Sequence, residues 1–407
     1  MLRCGLLGEK LGHSYSPAIH AQLGDYAYEL YECPPDQLGT FLKSGAWDGL
    51  NVTIPYKKTV VPYCAELSET ARALGSVNTL VRRADGSIYG DNTDAYGFER
   101  MVLRSEIGVA GRKALVLGSG GASVTVCAIL KRLGAKEIVV ISRSGENNYQ
   151  NLSRHADAQL IVNTTPVGMY PHNGTSPVDL GLFAGCEGVL DIVYNPVRTA
   201  FILQAEALQL PRESGLHMLV AQAKRSSELF TGRTIDDASV EHIERKIRRG
   251  LENIILIGMP GCGKSTVANA LGKRLDRPVR EADALIAEKA GMSVPEIFKS
   301  GGEERFRELE SEVLQELGKQ SGSIISTGGG CVTQERNYAP LHQNGTIFWL
   351  QRDLAKLATA GRPISLRTPA EELYRRRAPL YERFADETVK NDGTVEETVF
   401  EIMERLQ

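Results

Sequence analysis

Two stretches, KALVLGSGGAS at 113–123 and NIILIGMPGCGKST at 253–266, decide how this chain is to be read. Each is a short apolar run that ends in glycines and turns into a helix. The first has the form that cradles the pyrophosphate of a dinucleotide, the second the form that holds the phosphates of ATP or GTP. In both, glycines let consecutive backbone N–H groups converge on phosphate, and the positive end of the next helix favours the negative charge. A single domain rarely uses both loops. The chain therefore reads as two catalytic units in series, and 407 residues are enough for two or three domains with a core each.

Around the first loop, the buried run 114–117 leads into an apolar helix to about Leu133, followed by EIVVIS (137–142), LIVN (160–163) and VLDIV (189–193). Strands alternating with helical stretches imply right-handed crossovers and a parallel sheet. The polar segment 144–157 is short for two helices, so this sheet is expected to be trimmed on one side. Residues 1–100 alternate short apolar runs with turn-rich joints, the pattern of a small α/β domain. The charged stretch TIDDASVEHIERKIRRGLE (234–252) reads as a helix capped by Asp236 or Asp237 that closes the first unit. No Gly/Ser- or Pro-rich linker follows it, so the connection to the second unit is short. There, SIIST (323–327) and TIFWL (346–350) are the further strand candidates.

Composition removes several classes of function. A net charge of -3 gives no basic surface for nucleic acid. No apolar run approaches the ~20 residues that span a bilayer, and MLRCGLLGEK has no signal-peptide core. The seven cysteines form no CxxC pair, which argues against structural zinc and redox motifs and for free thiols in a reducing cytoplasm. His13 and His20 lack a third metal ligand at suitable spacing. A helix start for His13 and a packed or exposed helical site for His20 are the expectations.

The second loop matches GxxxxGK[ST] completely. Gly258, Gly261, Cys262, Gly263 and Thr266 shape it, Lys264 reaches the β/γ-phosphates, and the Ser265 hydroxyl coordinates Mg²⁺. In the first loop Gly118, Gly120, Gly121 and Ala122 form the turn, and the second strand ends in Ser142-Arg143. A hydroxyl and a cation there suit a ribose 2′-phosphate, where NAD enzymes tend to place an acid, so NADP is expected.

The segments GEKLGHSYSPAIH, GLNVTIPYKK, GSVNTL, YGDNTDAYGF, NTTPVGM, DIVYNP and GLHMLVAQA together resemble shikimate dehydrogenase, over residues 1 to about 247. The resemblance implies that Ser14 and Ser16 hydrogen-bond the substrate carboxylate. Thr53, Asn78 and Gln222 would bind ring hydroxyls, with Asn51 and Tyr194 nearby, and Lys57 and Asp94 match the catalytic pair. Hydride reduction of a ketone leaves alkoxide charge, which needs a cation or proton donor such as Lys57, oriented by Asp94. Two departures concern the cofactor and the substrate. Val124 stands where the family often has an arginine, and Ser16 in place of a threonine leans towards shikimate over quinate.

READALIAEKAGMSVPEIFKSGGEERFRELESEVL, then STGGGCV, GRPIS and RRRAPLYERFAD, resemble shikimate kinase over about 252–407. By that resemblance Asp283 meets the reacting hydroxyl as general base, and Arg307 and Arg377 grip the substrate carboxylate. Gly328, Gly329 and Gly330 admit the ring, and Arg362 is the lid arginine. Glu281 stands where the family usually has an aspartate that helps hold Mg²⁺, and the stretch between Arg362 and Arg377 is shorter than usual. Planar guanidinium groups suit a carboxylate because they bind it bidentately.

The expected fold class is α/β. A substrate-binding domain over 1–98 is completed by a C-terminal helix at about 226–247, followed by a Rossmann-type NADP domain over 99–225 and a P-loop kinase domain with a parallel sheet over 252–407. The expected activities are NADPH-dependent reduction of 3-dehydroshikimate and ATP- and Mg²⁺-dependent phosphorylation of shikimate. The partners are small molecules, with no nucleic acid and no membrane, and the oligomeric state stays open. Two rival readings also stay open: a degenerate kinase half that only regulates, and a first half that oxidises quinate or another polyol with NAD.

Overall fold

A computed structural model describes residues 1–12, 14–357 and 369–406. Two compact units emerge. The first comprises Met1–Gly168, Ser176–Tyr194 and Phe201–Ile247, and the second Met169–Thr175, Asn195–Ala200 and Arg248–Gln407.

The first unit holds two sheets. Strands β1 (Arg3–Gly8), β2 (Ala27–Glu32), β3 (Gly49–Val52), β4 (Glu66–Leu67), β5 (Thr79–Arg82) and β6 (Ile88–Asp91) are ordered β2-β1-β3-β5-β6-β4. β1 runs parallel to β2 and β3, while β5 is antiparallel to both β3 and β6. The β5–β6 hairpin turns at Gly86, whose φ of 83° suits glycine. Its core gathers Leu7, Trp47, Leu50, Tyr56, Val77 and Leu80.

The second sheet is formed by β7 (Lys113–Leu117), β8 (Glu137–Ile141), β9 (Leu160–Asn163), β10 (Gly188–Asp191) and β11 (Arg212–Ser214), ordered β11-β10-β9-β7-β8 and parallel throughout. β7 reads as an unbroken apolar run because both its faces are covered. Leu115 and Leu117 enter one core, Ala114 and Val116 the other. The order reverses between β7 and β9, the switch point at which an open α/β sheet binds ligands beyond its carboxyl ends. Between β8 and β9 the segment 144–157 forms no α-helix, only a bridge from Asn148 to Ser142 and the 3₁₀ turn Leu152–His155, so the sheet is trimmed there. Leu152 is that turn's buried residue, and one apolar side chain cannot anchor a full amphipathic helix.

Two long helices, Thr93–Ser105 and Leu216–Thr231, pack together. The choice of cap for helix Ala238–Leu251 is resolved. Asp236 Oδ1 accepts from Ala238 N–H at 3.0 Å, while Asp237 accepts from Lys224 Nζ at 2.6 Å.

In the second unit β12 (Asn253–Ile257), β13 (Val279–Glu281), β14 (Ile324–Ser326), β15 (Gly345–Gln351) and β16 (Glu387–Lys390) form a parallel sheet ordered β13-β14-β12-β15-β16. Every residue of the central strand β12 is buried, and its carboxyl end feeds the glycine loop and helix Lys264–Leu275. Among the described residues no helix is long and apolar enough to cross a membrane. All seven cysteines are free thiols.

Candidate active sites

In the first unit one cavity of about 340 Å³ is lined by Ser14, Ser16, Asn51, Thr53, Lys57, Asn78, Asp94, Tyr194 and Gln222, among others. These residues span two hundred positions of sequence and come from separate elements. Thr53 and Lys57 lie on the turn after β3, and Asn78 precedes β5. Asp94 sits in the first turn of helix Thr93–Ser105, and Gln222 in helix Leu216–Thr231. Lys57 is pinned through its carbonyl, which accepts from Val77 N–H at 2.7 Å. Its ammonium donates to Asp94 Oδ2 at 2.6 Å, and both side chains remain partly exposed to the cavity. Tyr194 packs edge-on against Tyr15 at 5.7 Å.

His20 is no ligand. It is buried, stacked on Tyr28 at 3.9 Å with Nδ1 2.6 Å from the Tyr26 hydroxyl, and burial pushes its pKa down to about 3. His13 lies outside the described residues. Behind the cavity a group of hydroxyls was missed by the sequence reading. The hydroxyls of Thr79, Thr93 and Ser226 lie 2.9–3.2 Å from one another and bond to the amides of Asn51 and Asn78. Nothing marks such residues in sequence, since Ser and Thr are common in helices and strands alike.

The first glycine loop stands at the switch point. Gly118 has φ 103°, and a Cβ there would stand 2.8 Å from Thr165 Cγ2, so only glycine lets β7 end against the chain after β9. Gly120 caps helix Gly121–Arg132, whose first turn contains Ala122. Added Cβ atoms at Gly120 and Gly121 would meet no heavy atom within 4 Å, which leaves the helix N-terminus open as a cradle for phosphate. Ser142 follows β8, its N–H donating to Asn147 O at 3.1 Å, and Arg143 beside it is exposed. These groups fit a dinucleotide bearing a 2′-phosphate.

In the second unit Gly258, Gly261 and Gly263 have φ of 144°, 86° and 96°. A Cβ at Gly258 would stand 2.6 Å from Leu350 O, and one at Gly263 2.7 Å from Asn391 Nδ2. Cys262 is buried, and its carbonyl accepts from Asn391 Nδ2 at 2.6 Å, a packing role for the loop. Lys264 Nζ donates to Gly258 O at 2.9 Å and Met259 O at 3.1 Å. A groove of about 1180 Å³ starts at Ser265 and Thr266 and runs past Val395, Phe400 and Met403. Arg352, another residue missed in sequence, places Nη1 3.4 Å from where a Cβ of Gly263 would stand, and its Nε is buried with no partner among the described residues.

The longer Glu281 side chain reaches the loop. Ser265 Oγ donates to Glu281 Oε2 at 3.0 Å, and Glu281 Oε1 is buried without a partner among the described residues. A hydroxyl and a carboxylate with an unsatisfied oxygen are the hard donors that Mg²⁺ prefers. The residues present thus fit the ion.

Beside this loop four charged side chains converge. Asp283 begins helix Ala282–Ala290, and its Oδ1 would stand 3.0 Å from a Cβ at Gly328. Arg307 Nη1 donates to Glu310 Oε2 at 2.7 Å and Nη2 to Glu303 Oε1 at 3.1 Å, while its Nε is buried without a partner among the described residues. Arg377 Nη1 donates to Gly329 O at 3.1 Å, and the Tyr381 hydroxyl donates to the same carbonyl. A Cβ at Gly330 would lie 2.1 Å from Arg307 Nη2, so the glycine run is what admits the guanidinium. Glu310 is fully buried. Burial raises its carboxyl pKa, opposed by Arg307 and Arg377 and reinforced by Asp283. The three-residue spacing of Arg307 and Glu310 on one helix face was the available signal for Glu310. Arg362 lies outside the described residues.

Comparison with known proteins adds the family context. Residues 6–80 match the shikimate dehydrogenase substrate binding domain, and residues 260–407 match shikimate kinase. A shikimate dehydrogenase (NADP(+)) of Clostridium perfringens is 36% identical over 265 residues, an overlap of 60% of this chain and 97% of that protein. Among solved structures, a chorismate mutase/shikimate 5-dehydrogenase fusion protein from Clostridium acetobutylicum is similar at 39% identity and TM-score 0.58, over 60% of this chain and 96% of that one. A shikimate 5-dehydrogenase from Thermus thermophilus, solved in complex with NADP(H) and shikimate, is similar at 32% identity and TM-score 0.55, over 60% of this chain and 99% of that one.

Proposed function

Because the chain belongs to the shikimate dehydrogenase family and carries a shikimate kinase domain behind that part, we propose that it runs two consecutive reactions. It reduces 3-dehydroshikimate to shikimate with NADPH, then phosphorylates the new C3 hydroxyl with ATP. The observation that carries this reading is the convergence of Ser14, Ser16, Thr53, Lys57, Asn78, Asp94 and Gln222 on one cavity. When bound, NADPH supplies the hydride, ATP the phosphoryl group, and Mg²⁺ neutralises phosphate charge.

In the first reaction Ser14 and Ser16 hold the substrate carboxylate, and Thr53, Asn78 and Gln222 hold ring hydroxyls. As the ketone gains a hydride, Lys57 offers its ammonium proton to the oxygen. Asp94, 2.6 Å away, keeps that ammonium aimed and charged. Gly118, Gly120, Gly121 and Ala122 bind the pyrophosphate, and Ser142 and Arg143 select the 2′-phosphate. Tyr194 walls the cavity.

In the second reaction Arg307 and Arg377 grip the carboxylate, Gly329 lets the ring approach the backbone, and Asp283 accepts the hydroxyl proton. Glu310 keeps the Arg307 fork in its plane. Lys264 follows the transferring charge within the loop of Gly258, Gly261, Cys262, Gly263 and Thr266, Arg362 covers the phosphates, and Ser265 and Glu281 hold the metal. Free thiols throughout fit the reducing cytoplasm, where we place the enzyme.

A one-pot assay with 3-dehydroshikimate, NADPH, ATP and Mg²⁺ tests the reading. Lys57→Ala should stop NADPH consumption and leave phosphorylation of added shikimate, and Lys264→Ala should do the reverse. Survival of both activities in either variant would sink the assignment. Parallel rates with quinate and with NAD decide against the polyol alternative if both stay at least tenfold lower.

A further inference from the structure

We propose that Ser226, together with Thr79 and Thr93, is a positioning group of the dehydrogenase that fixes which face of each cavity amide meets the substrate. This rests on the cavity being the dehydrogenase substrate site. None of the three hydroxyls touches the cavity in its own right. Thr79 and Ser226 are fully buried and Thr93 is 1% exposed, yet all belong to one knot: Ser226 Oγ lies 2.9 Å from Thr79 Oγ1 and 3.0 Å from Thr93 Oγ1, and the two threonine oxygens are 3.2 Å apart. Each comes from a different element, β5, helix Thr93–Ser105 and helix Leu216–Thr231.

Counting donors shows what the knot does. Asn51 accepts from the Tyr28 hydroxyl at 2.8 Å through Oδ1, so its NH₂ group faces inward and donates to Ser226 Oγ at 2.8 Å and Thr79 Oγ1 at 3.4 Å. Both ends of Asn51 are thereby committed to the scaffold. Asn78 is set the other way. Its Oδ1 accepts from Thr93 N–H at 2.7 Å, Thr79 Oγ1 at 3.1 Å and Thr93 Oγ1 at 3.2 Å, which leaves its NH₂ group as the end presented to the cavity. Thr93 Oγ1 also lies 3.4 Å from Gln222 Oε1, and Ser226 Oγ donates to Gln222 O at 3.0 Å, one turn back along the helix. Thr79 and Thr93, with the Thr93 backbone N–H, therefore make Asn78 a donor, while Ser226 and Thr79, with Tyr28, make Asn51 a wall. A ring hydroxyl opposite Asn78 must then accept, and substrates without an acceptor there are disfavoured.

The test compares wild type, Ser226→Ala, Thr79→Val and Thr79→Ser. Both KM values of the reductase step are measured, with phosphorylation of added shikimate as internal control and thermal unfolding alongside. Losing the hydroxyl should free the amides to rotate and raise KM for 3-dehydroshikimate about tenfold, the size of one hydrogen bond to a neutral group. KM for NADPH and the kinase rate should stay within twofold. Thr79→Ser, which keeps the hydroxyl, should return KM to within twofold of wild type. Ser226→Ala is the milder change and decides the matter if Thr79→Val does not fold. The proposal is overturned if KM for 3-dehydroshikimate stays within twofold in every variant that folds, or if Thr79→Ser is as impaired as Thr79→Val. A wild-type chain that fails to reduce 3-dehydroshikimate would overturn the reading of the cavity and this inference with it.

Discussion

The cavity of the first unit and the charged site of the second are asked, on the proposed function, to hold the same small carboxylate, and they are built from opposite materials. The first offers hydroxyls and amides around a single ion pair, Lys57 and Asp94. The second gathers Arg307, Arg377, Glu310 and Asp283, three of them at least nine-tenths buried. The difference follows from what else each site must hold. Near a nucleotide triphosphate the substrate carboxylate meets a strong negative potential, and neutral donors give too little against it at low dielectric. Buried guanidinium groups do, but each needs a polar partner, because an unpaired buried charge is costly: for Arg377 it is Gly329 O, for Arg307 a carboxylate. Glu310 beneath Arg307 is that partner. Hydride transfer passes through a single oxyanion, so one ammonium is enough.

Four experiments would break or sharpen this contrast. The largest effect should come from Lys57→Ala in the reductase assay, with a loss of roughly 10²–10⁴ in kcat, the usual worth of a positioned proton donor. Next, Arg377→Ala should raise KM for shikimate in the kinase assay by about 10- to 150-fold, since a charged hydrogen bond is worth about 1.5–3 kcal/mol. Ser14→Ala should raise KM for 3-dehydroshikimate by only about two- to tenfold, as expected of a neutral bond. Equal losses for the arginine and the serine would end the comparison. Arg143→Ala should raise KM for NADPH about fivefold and leave KM for 3-dehydroshikimate unchanged, in line with one exposed phosphate contact. Steady-state titration of each substrate measures all three.

A separate effect concerns stability and belongs to the first unit alone. Burial holds the His20 pKa at about 3, against about 6.5 for an exposed imidazole. Below pH 6.5 the unfolded chain therefore takes up a proton that the folded chain refuses. Stability is fully present above that pH and falls towards pH 3, by up to about 1.4 kcal/mol per pH unit. His20→Gln should be less stable at pH 7.5 and show a shallower loss between pH 6.5 and 4.5. Urea unfolding of both proteins across that range reads the difference, and parallel slopes would show that His20 contributes nothing to it.

Much of this was legible in the chain before any coordinates. Both glycine loops were, because a strand–loop–helix that binds phosphate needs its glycines at fixed offsets over a few residues. The parallel sheet around Leu115 and Leu117 was also visible in the run of buried apolar residues, and so was the trimming at 144–157. For helix Ala238–Leu251 the sequence narrowed the cap to two aspartates. The choice between them needed Lys224, which neutralises Asp237 from another helix and leaves Asp236 to cap.

What sequence alone determined, then, is local: which strands end in glycine loops shaped for phosphate, and which lysines, arginines and carboxylates are candidates to act. Only the tertiary structure decided how those groups are aimed. That the longer Glu281 side chain reaches the glycine loop, accepting from Ser265 Oγ, was visible only in the fold. Arg352 and the Thr79–Thr93–Ser226 knot carry no motif at all. They take on meaning from what the fold sets beside them, Gly263 for Arg352 and Ser226 for the two threonines.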